Sequence, residues 1–303
     1  MRAWICAVLT AAIATGSLAT AALAKTTRAK PAPRYYVALG DSLSVGFQPT
    51  TKTANGHETN QGYTNDLAAH YAKQIHGLKL QEFGCPGDTT GSLLTGKGND
   101  ATAKLFHCDR HGGSQLKAAV AFLKAHHARG EVPLITIDIG ANDVDGCAGV
   151  PLQQVAACVS TGEHAIKTNT PKILSALRKA APKGARLVGM NLYDPVLADE
   201  LLSPYDPAYV LGSVSVPLVQ AINKDIAQVD TAAGFKTADV ASAFDTYATT
   251  PTSYNGQQVP LDVAKICQLT WMCAAAPLGP NIHANKAGYA VIAGAFEKVL
   301  GKL

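Results

Sequence analysis

The chain has 303 residues, 47% of them hydrophobic and only 16% charged, where an average domain carries roughly 25% charged residues. That composition excludes a disordered chain, a coiled coil and a charge-rich scaffold, and it supplies the core of one large domain or two smaller ones. The net charge of +4 is local: Arg2, Lys25, Arg28, Lys30 and Arg34 precede the first acid, and beyond them 21 cations face 22 acids, which leaves no basic face for nucleic acid.

In chain order, residues 1–24 read as a secretory signal peptide. Arg2 is the positive end, an uncharged apolar run follows, and Ala22-Leu23-Ala24 has the small-x-small form of a cleavage site. The alternative is an uncleaved anchor, which Thr10, Thr15, Gly16, Ser17 and Thr20 disfavour. Residues 25–34 read as a flexible basic tail and residues 35–303 as a single domain. Tyr35-Tyr36-Val37-Ala38-Leu39 predicts a strand ending at Gly40. Tyr63, Leu67, Tyr71 and Ile75 predict an amphipathic helix. A strand is expected over Leu78 to Phe83, and a helix around Leu116, Val120 and Leu123. Leu134 to Ile139 is the clearest strand. Thr170-Pro171 predicts a helix start, because proline's missing N–H costs nothing in a first turn. Arg186 to Met190 predicts a fourth strand. Val216, Val219, Ile222, Ile226 and Val229 mark a helix before a weaker fifth strand at Phe235 to Val240. Residues 243–280 read as loop-rich, and Tyr289, Ile292, Ala293, Phe296, Val299 and Leu300 share one face of a C-terminal helix. Strands that alternate with helices predict a parallel sheet covered on both faces.

Cys6 falls in the signal, leaving Cys85, Cys108, Cys147, Cys158, Cys267 and Cys273. An even count in an exported chain suggests disulfides, and six cysteines allow about fifteen pairings. Short spacing favours neighbours: Cys85 with Cys108, Cys147 with Cys158, Cys267 with Cys273. A metal reading of His107-Cys108-Asp109-Arg110-His111 competes, without any C-x-x-C pair to support it.

In an open α/β sheet, ligands bind outside the carboxyl ends of the strands. There the sequence places Gly40-Asp41-Ser42-Leu43, then Gly84-Cys85-Pro86-Gly87-Asp88-Thr89, then Gly140-Ala141-Asn142-Asp143. His283 stands in the last loop before the C-terminal helix. Acyl transfer needs such a set: a hydroxyl nucleophile, an imidazole base, and donors aimed at an oxyanion. Ser42 is expected to begin a helix whose dipole lies beneath that oxyanion. Taken singly, Ser42 reads equally well as a helix cap, Gly87 and Asn142 as turn residues, and His283 as a surface histidine. Asp41 reads as a structural hydrogen-bonder. Asp143-Val144-Asp145-Gly146 resembles part of a calcium loop, without the remaining EF-hand spacing.

Together the four blocks resemble the GDSL, or SGNH, hydrolases, a family named for Ser, Gly, Asn and His. The matching residues here are Ser42, Gly87, Asn142 and His283, in the family's order over positions 40 to 288. The resemblance implies a three-layer αβα, flavodoxin-like domain with a five-stranded parallel sheet. It also implies ester hydrolysis through an acyl-enzyme on Ser42, with His283 as base and no cofactor or metal. The implied partner is a small-molecule or lipid ester. Nucleic acid, stable membrane insertion after signal cleavage and oligomerisation are not expected, and the protein is expected outside the cell. Phospholipase A, carbohydrate deacetylase and a non-catalytic binding protein are the alternatives. The Ser42 site departs from the G-x-S-x-G elbow of α/β-hydrolases. It also departs from its own family, which places an Asp three residues before the histidine, where this chain has Pro280. The resemblance to secreted members with a Ser–His dyad implies a main-chain carbonyl between Leu278 and Asn281 orienting His283, with Asp262 or Asp245 as rivals. With no carboxylate partner in view, the imidazole is expected to titrate at ~6 to 7.

Overall fold

A five-stranded parallel sheet forms the centre of the protein, in the order β2-β1-β3-β4-β5. The structure is a computed structural model that describes residues 33–51, 56–106, 108, 113–202 and 205–303. The strands are β1 (Arg34–Gly40), β2 (Leu78–Glu82), β3 (Leu134–Asp138), β4 (Arg186–Met190) and β5 (Lys236–Ala238). The helices are α1 (Tyr63–Ala72), α2 (Thr90–Thr95), α3 (Asp100–Leu105), α4 (Gln115–Ala125), α5 (Ala141–Val144), α6 (Leu152–Ala180), α7 (Pro207–Ala232), α8 (Val240–Ala243), α9 (Leu261–Leu269) and α10 (Lys286–Leu300). Two 3₁₀ turns, Asp145–Gly149 and Pro195–Leu201, follow α5 and β4. The proposed signal and most of the proposed tail lie outside the described residues; Arg34 already belongs to β1.

Both faces of the sheet are apolar because both are covered, as a parallel sheet requires. Tyr36, Ala38, Leu134, Val188 and Met190 point to one side and pack with Tyr63, Leu67 and Tyr71 of α1 and Tyr289, Ile292 and Phe296 of α10. Val37, Leu39, Ile135, Ile137 and Leu187 point to the other and pack with Leu116 and Leu123 of α4 and Ile173, Leu174 and Leu177 of α6. Each fully buried Val, Leu, Ile, Phe or Met among these contributes on the order of 1.5–3 kcal/mol. The rings of Tyr63 and Phe296 stack with centroids 4.9 Å apart, joining α1 to α10. Helix α7 covers the β4–β5 edge and packs on α6, with Ile222 and Ile226 against Ile166 and Leu192.

Three expectations from the sequence need correction. Thr170-Pro171 does not start a helix; both residues lie inside the 29-residue α6. Pro171 is exposed, so the carbonyl it leaves unbonded faces water. The buried stripe of Val155, Ile166, Ile173, Leu174 and Leu177 offsets the ~3 kcal/mol that an interior proline costs. The stretch 243–280 is not mostly loop. It holds α9 and the antiparallel hairpin β6 (Pro251–Tyr254) and β7 (Gln257–Pro260). Its turn is Asn255-Gly256, both at positive φ, which is the strongest short hairpin signal a sequence carries. Finally, no helix begins at Ser42; the first one after β1 is α1, which starts at Tyr63. Residues 41–46 form turns, closed by bonds from Gly46 N–H to the Leu43 carbonyl and from Phe47 N–H to the Ser42 carbonyl. The dipole expected beneath Ser42 is therefore absent.

The three neighbour disulfides form: Cys85–Cys108, Cys147–Cys158 and Cys267–Cys273. Cys108 is thereby unavailable as a metal ligand, and His107 and His111 lie outside the described residues. Each bridge has one end near a strand-end or last-loop block: Cys85 beside Gly87, Cys147 beside Asn142, Cys273 before His283. A typical bridge stabilises by ~2–4 kcal/mol. Full reduction is expected to lower any activity that these blocks carry at temperatures where circular dichroism still reports an intact sheet. Unchanged activity in a fully reduced, folded sample would show that the bridges do not hold these loops.

Candidate active site

Strands β1 and β3 are neighbours, and the chain leaves them for opposite sides of the sheet. This is the switch point at which such sheets bind ligands, and Ser42 and Asn142 follow these two strands. Gly40 ends β1 at φ +150° with the Asp138 carboxylate against its Cα; a Cβ there would lie 2.2 Å from Asp138 Oδ1. Only glycine lets the two strand ends approach with that acid between them. Asp138 accepts the Asp41 N–H at 3.2 Å and the Tyr63 hydroxyl. Asp41 accepts the Leu43 N–H at 3.0 Å, so it shapes the turn that carries Ser42, as its structural reading anticipated. Burial pushes Asp41 up to about 6 and Asp138 well above the usual carboxylate range.

The hydroxyl of Ser42 lies 2.8 Å from His283 Nε2. Sequence separation between the two is 241 residues, and the α10 side of the fold closes it. The His283 carbonyl accepts the Trp271 N–H at 3.0 Å. The Tyr193 hydroxyl donates to the Ile282 carbonyl at 2.8 Å. The imidazole packs on Phe47, with ring centroids 4.6 Å apart. Burial lowers His283 to about 4, well below the ordinary range expected from the sequence.

Asn142 stands at the start of α5, and its side-chain amide donates to the Asp88 carbonyl at 3.0 Å. Gly87 sits in the turn just before Asp88 at φ +75°, a conformation that favours glycine. That turn is closed by Asp88 N–H to the Cys85 carbonyl, and Cys85 N–H donates to the Gly40 carbonyl at 3.1 Å. The Gly87 block is thus tied to both the Ser42 and the Asn142 loops, although Gly87 itself stays outside the cavity lining. Ser42, Asn142 and His283 line one cavity of about 120 Å³. Its walls are mostly apolar, among them Val159, Leu192, Leu211, Leu218 and Ile222.

Gln115 was not singled out in the sequence, yet it organises this rim. Its side-chain oxygen accepts the Gly40 N–H, and its amide nitrogen donates to the Gly40 carbonyl and to Asp88 Oδ2. Ser92 and Asn99 donate to Asp88 Oδ1. Asp138 did leave a signal: an acid inside the apolar run Ile135-Thr136-Ile137-Asp138-Ile139. Asp143 is engaged by the N–H and hydroxyl of Thr90, both at 2.8 Å. Among the described residues, no three His, Cys, Asp or Glu side chains cluster to hold a metal.

The group that meets His283 Nδ1 differs from every expectation. It is the side-chain oxygen of Asn281, at 2.7 Å, rather than a main-chain carbonyl. Asp245 pairs with Lys265 at 3.5 Å, and Asp262 accepts the Val263 N–H in the first turn of α9. The cause is local: Asn281 Oδ1 also accepts the backbone N–H of His283, at 3.1 Å. That two-residue side-chain turn brings the amide beside the ring.

A family model described as the GDSL-like lipase/acylhydrolase family matches residues 38–291. No curated protein matches the chain. Among solved structures, the chain is similar to an extracellular lipase from Streptomyces rimosus, at 17% identity and a TM-score of 0.52 over 88% of this chain and 99% of that one. It is similar also to a phospholipase A1 from Streptomyces albidoflavus NA297, at 18% identity and a TM-score of 0.51, covering 90% of this chain and 100% of that one.

Proposed function

The chain belongs to the GDSL-like lipase/acylhydrolase family, and on that premise we propose that it hydrolyses carboxylic esters through an acyl-enzyme on Ser42. The observation that carries this reading is the 2.8 Å contact between Ser42 Oγ and His283 Nε2 on the wall of an apolar cavity. Proton transfer needs that distance. Ser42 attacks the ester carbonyl as His283 takes its proton. The Ser42 N–H, the Gly87 N–H and the second hydrogen of the Asn142 amide hold the oxyanion. His283 returns the proton to the leaving alcohol, then activates the water that releases the acid. These steps use no cofactor.

The cavity of about 120 Å³ is smaller than the ~150 Å³ apolar cavity that holds benzene, so the part of an acyl group it encloses is about six carbons or fewer. Three disulfides support an oxidising compartment, and with residues 1–24 as signal peptide we assign the enzyme to the outside of the cell, as a monomer of one domain. Among the described residues no helix is long and apolar enough to cross a membrane.

The test is hydrolysis of p-nitrophenyl hexanoate across pH. The base works only when neutral, so kcat/KM rises with pH through the His283 pKa. Because burial lowers that pKa to about 4, the expected limb falls about tenfold per unit below ~4 and is flat above ~5. A limb at ~6 to 7 would mean an ordinary solvated imidazole. No hydrolysis of this or any other ester would remove the reading.

A further inference from the structure

We infer that Asn281 holds His283 in the one tautomer that can accept the Ser42 proton, a positioning residue that fills with a neutral amide the place of a triad carboxylate. The inference rests on the reading of Ser42 and His283 as nucleophile and base. One atom of the Asn281 side chain lies 3.1 Å from the backbone nitrogen of His283 and 2.7 Å from its Nδ1. A backbone N–H can only donate, so that atom must be the amide oxygen; the flipped amide would set NH₂ against N–H. An amide oxygen carries no hydrogen, so Nδ1 must carry one. The lone pair then sits on Nε2, facing Ser42 Oγ at 2.8 Å.

In a Ser-His-Asp triad, exchanging Asp for Asn costs ~10⁴ in kcat, because the amide can present its NH₂ and trap the wrong tautomer. Here the amide oxygen has a second partner, the backbone N–H of the histidine it serves, and the flip is closed to it. The loop is fixed at both ends: Asn281 N–H donates to the Trp271 carbonyl at 3.3 Å, and Trp271 N–H donates to the His283 carbonyl at 3.0 Å. A neutral partner also leaves the imidazolium without a countercharge, in keeping with the low pKa that burial imposes on His283.

The experiment compares Asn281→Ala and Asn281→Asp with the wild type and with Ser42→Ala, alongside ¹⁵N spectra of histidine-labelled protein, with His283 assigned by its loss in His283→Gln. In the wild type, His283 is expected as the Nδ1–H tautomer, a readout independent of turnover. Asn281→Ala is expected to lower kcat by ~30-fold with KM within about threefold, and to lose the single tautomer, since the ring is then free to shift by about an ångström. Asn281→Asp places a carboxylate at Nδ1, which favours the imidazolium. Its rising limb should move up by about one pH unit or more, with activity at pH 8 retained. The titratable groups that share the cavity with His283 are Asp41, Asp145, Asp194 and Tyr193. They are the same in both proteins, so the difference reports position 281. An Nε2–H tautomer in the wild type overturns the inference even if the alanine variant fails to fold. So does a folded Asn281→Ala enzyme within about twofold of wild-type kcat, provided Ser42→Ala is inactive. Retained activity in Ser42→Ala would instead remove the underlying reading.

Discussion

Ser42→Ala is expected to lower kcat on the order of 10⁶-fold, the scale seen when a serine hydrolase loses a nucleophile that acts as a unit with its base. The fold should survive. The Ser42 hydroxyl bonds to His283, and neither the turn nor the strand depends on it. The turn is closed by the Ser42 carbonyl and by Asp41, whose carboxylate takes the Leu43 N–H while Asp138 takes its own. An alanine at 42 keeps all three bonds. Turnover, labelling by a serine-directed phosphonate with mass mapping of the adduct, and the melting temperature should be measured together. The expected outcome is an unlabelled, inactive protein that melts like the wild type. A phosphonate adduct mapped to another serine in the wild type would move the nucleophile elsewhere in the chain.

Asn142→Ala is expected to lower kcat by ~10²–10³-fold, or about 2.7–4 kcal/mol of barrier, the effect of removing one oxyanion donor. The side-chain amide has two hydrogens. One is engaged by the Asp88 carbonyl at 3.0 Å, and that bond fixes the plane in which the other points. Asn142 lines the same cavity as Ser42 and His283, so the second hydrogen is the one left for an oxyanion formed there. Because the oxyanion exists only after attack, KM should change little. A rise in KM with kcat preserved would make Asn142 a ground-state binding residue instead. The variant also loses the tie to the Gly87 turn. A parallel melting curve separates the two effects, since an oxyanion donor can be lost without any fall in melting temperature.

How much of this was legible in the sequence depended on the range of the interaction concerned. Strands β1, β3 and β4 and helices α1, α4 and α10 stood out because their apolar residues repeat with the period of a covered element, a property each segment carries by itself. The five-stranded parallel sheet followed from strands that alternate with helices. Ser42, Asn142 and Gly87 could be placed at strand ends because the chain must turn there. The three disulfides came from the shortest spacings, which keep partners close before folding. The α6 boundary was misread because a proline is a local signal, while the burial of Ile166, Ile173 and Leu174 that carries the helix past it is not.

What only the tertiary structure decided lies in contacts between distant segments and in single side-chain geometries. Gln115 reads as one polar residue at a helix start until Gly40 and Asp88 are brought to it. The lowered pKa of His283 comes from burial between loops more than two hundred residues apart, and no window of sequence contains that burial. Asn281 is two residues from His283 and so was in plain view, but proximity along the chain does not tell whether a side chain or a carbonyl turns toward the ring. That choice was made by one hydrogen bond, from the His283 backbone N–H to the Asn281 oxygen, which a sequence permits and only a folded loop selects.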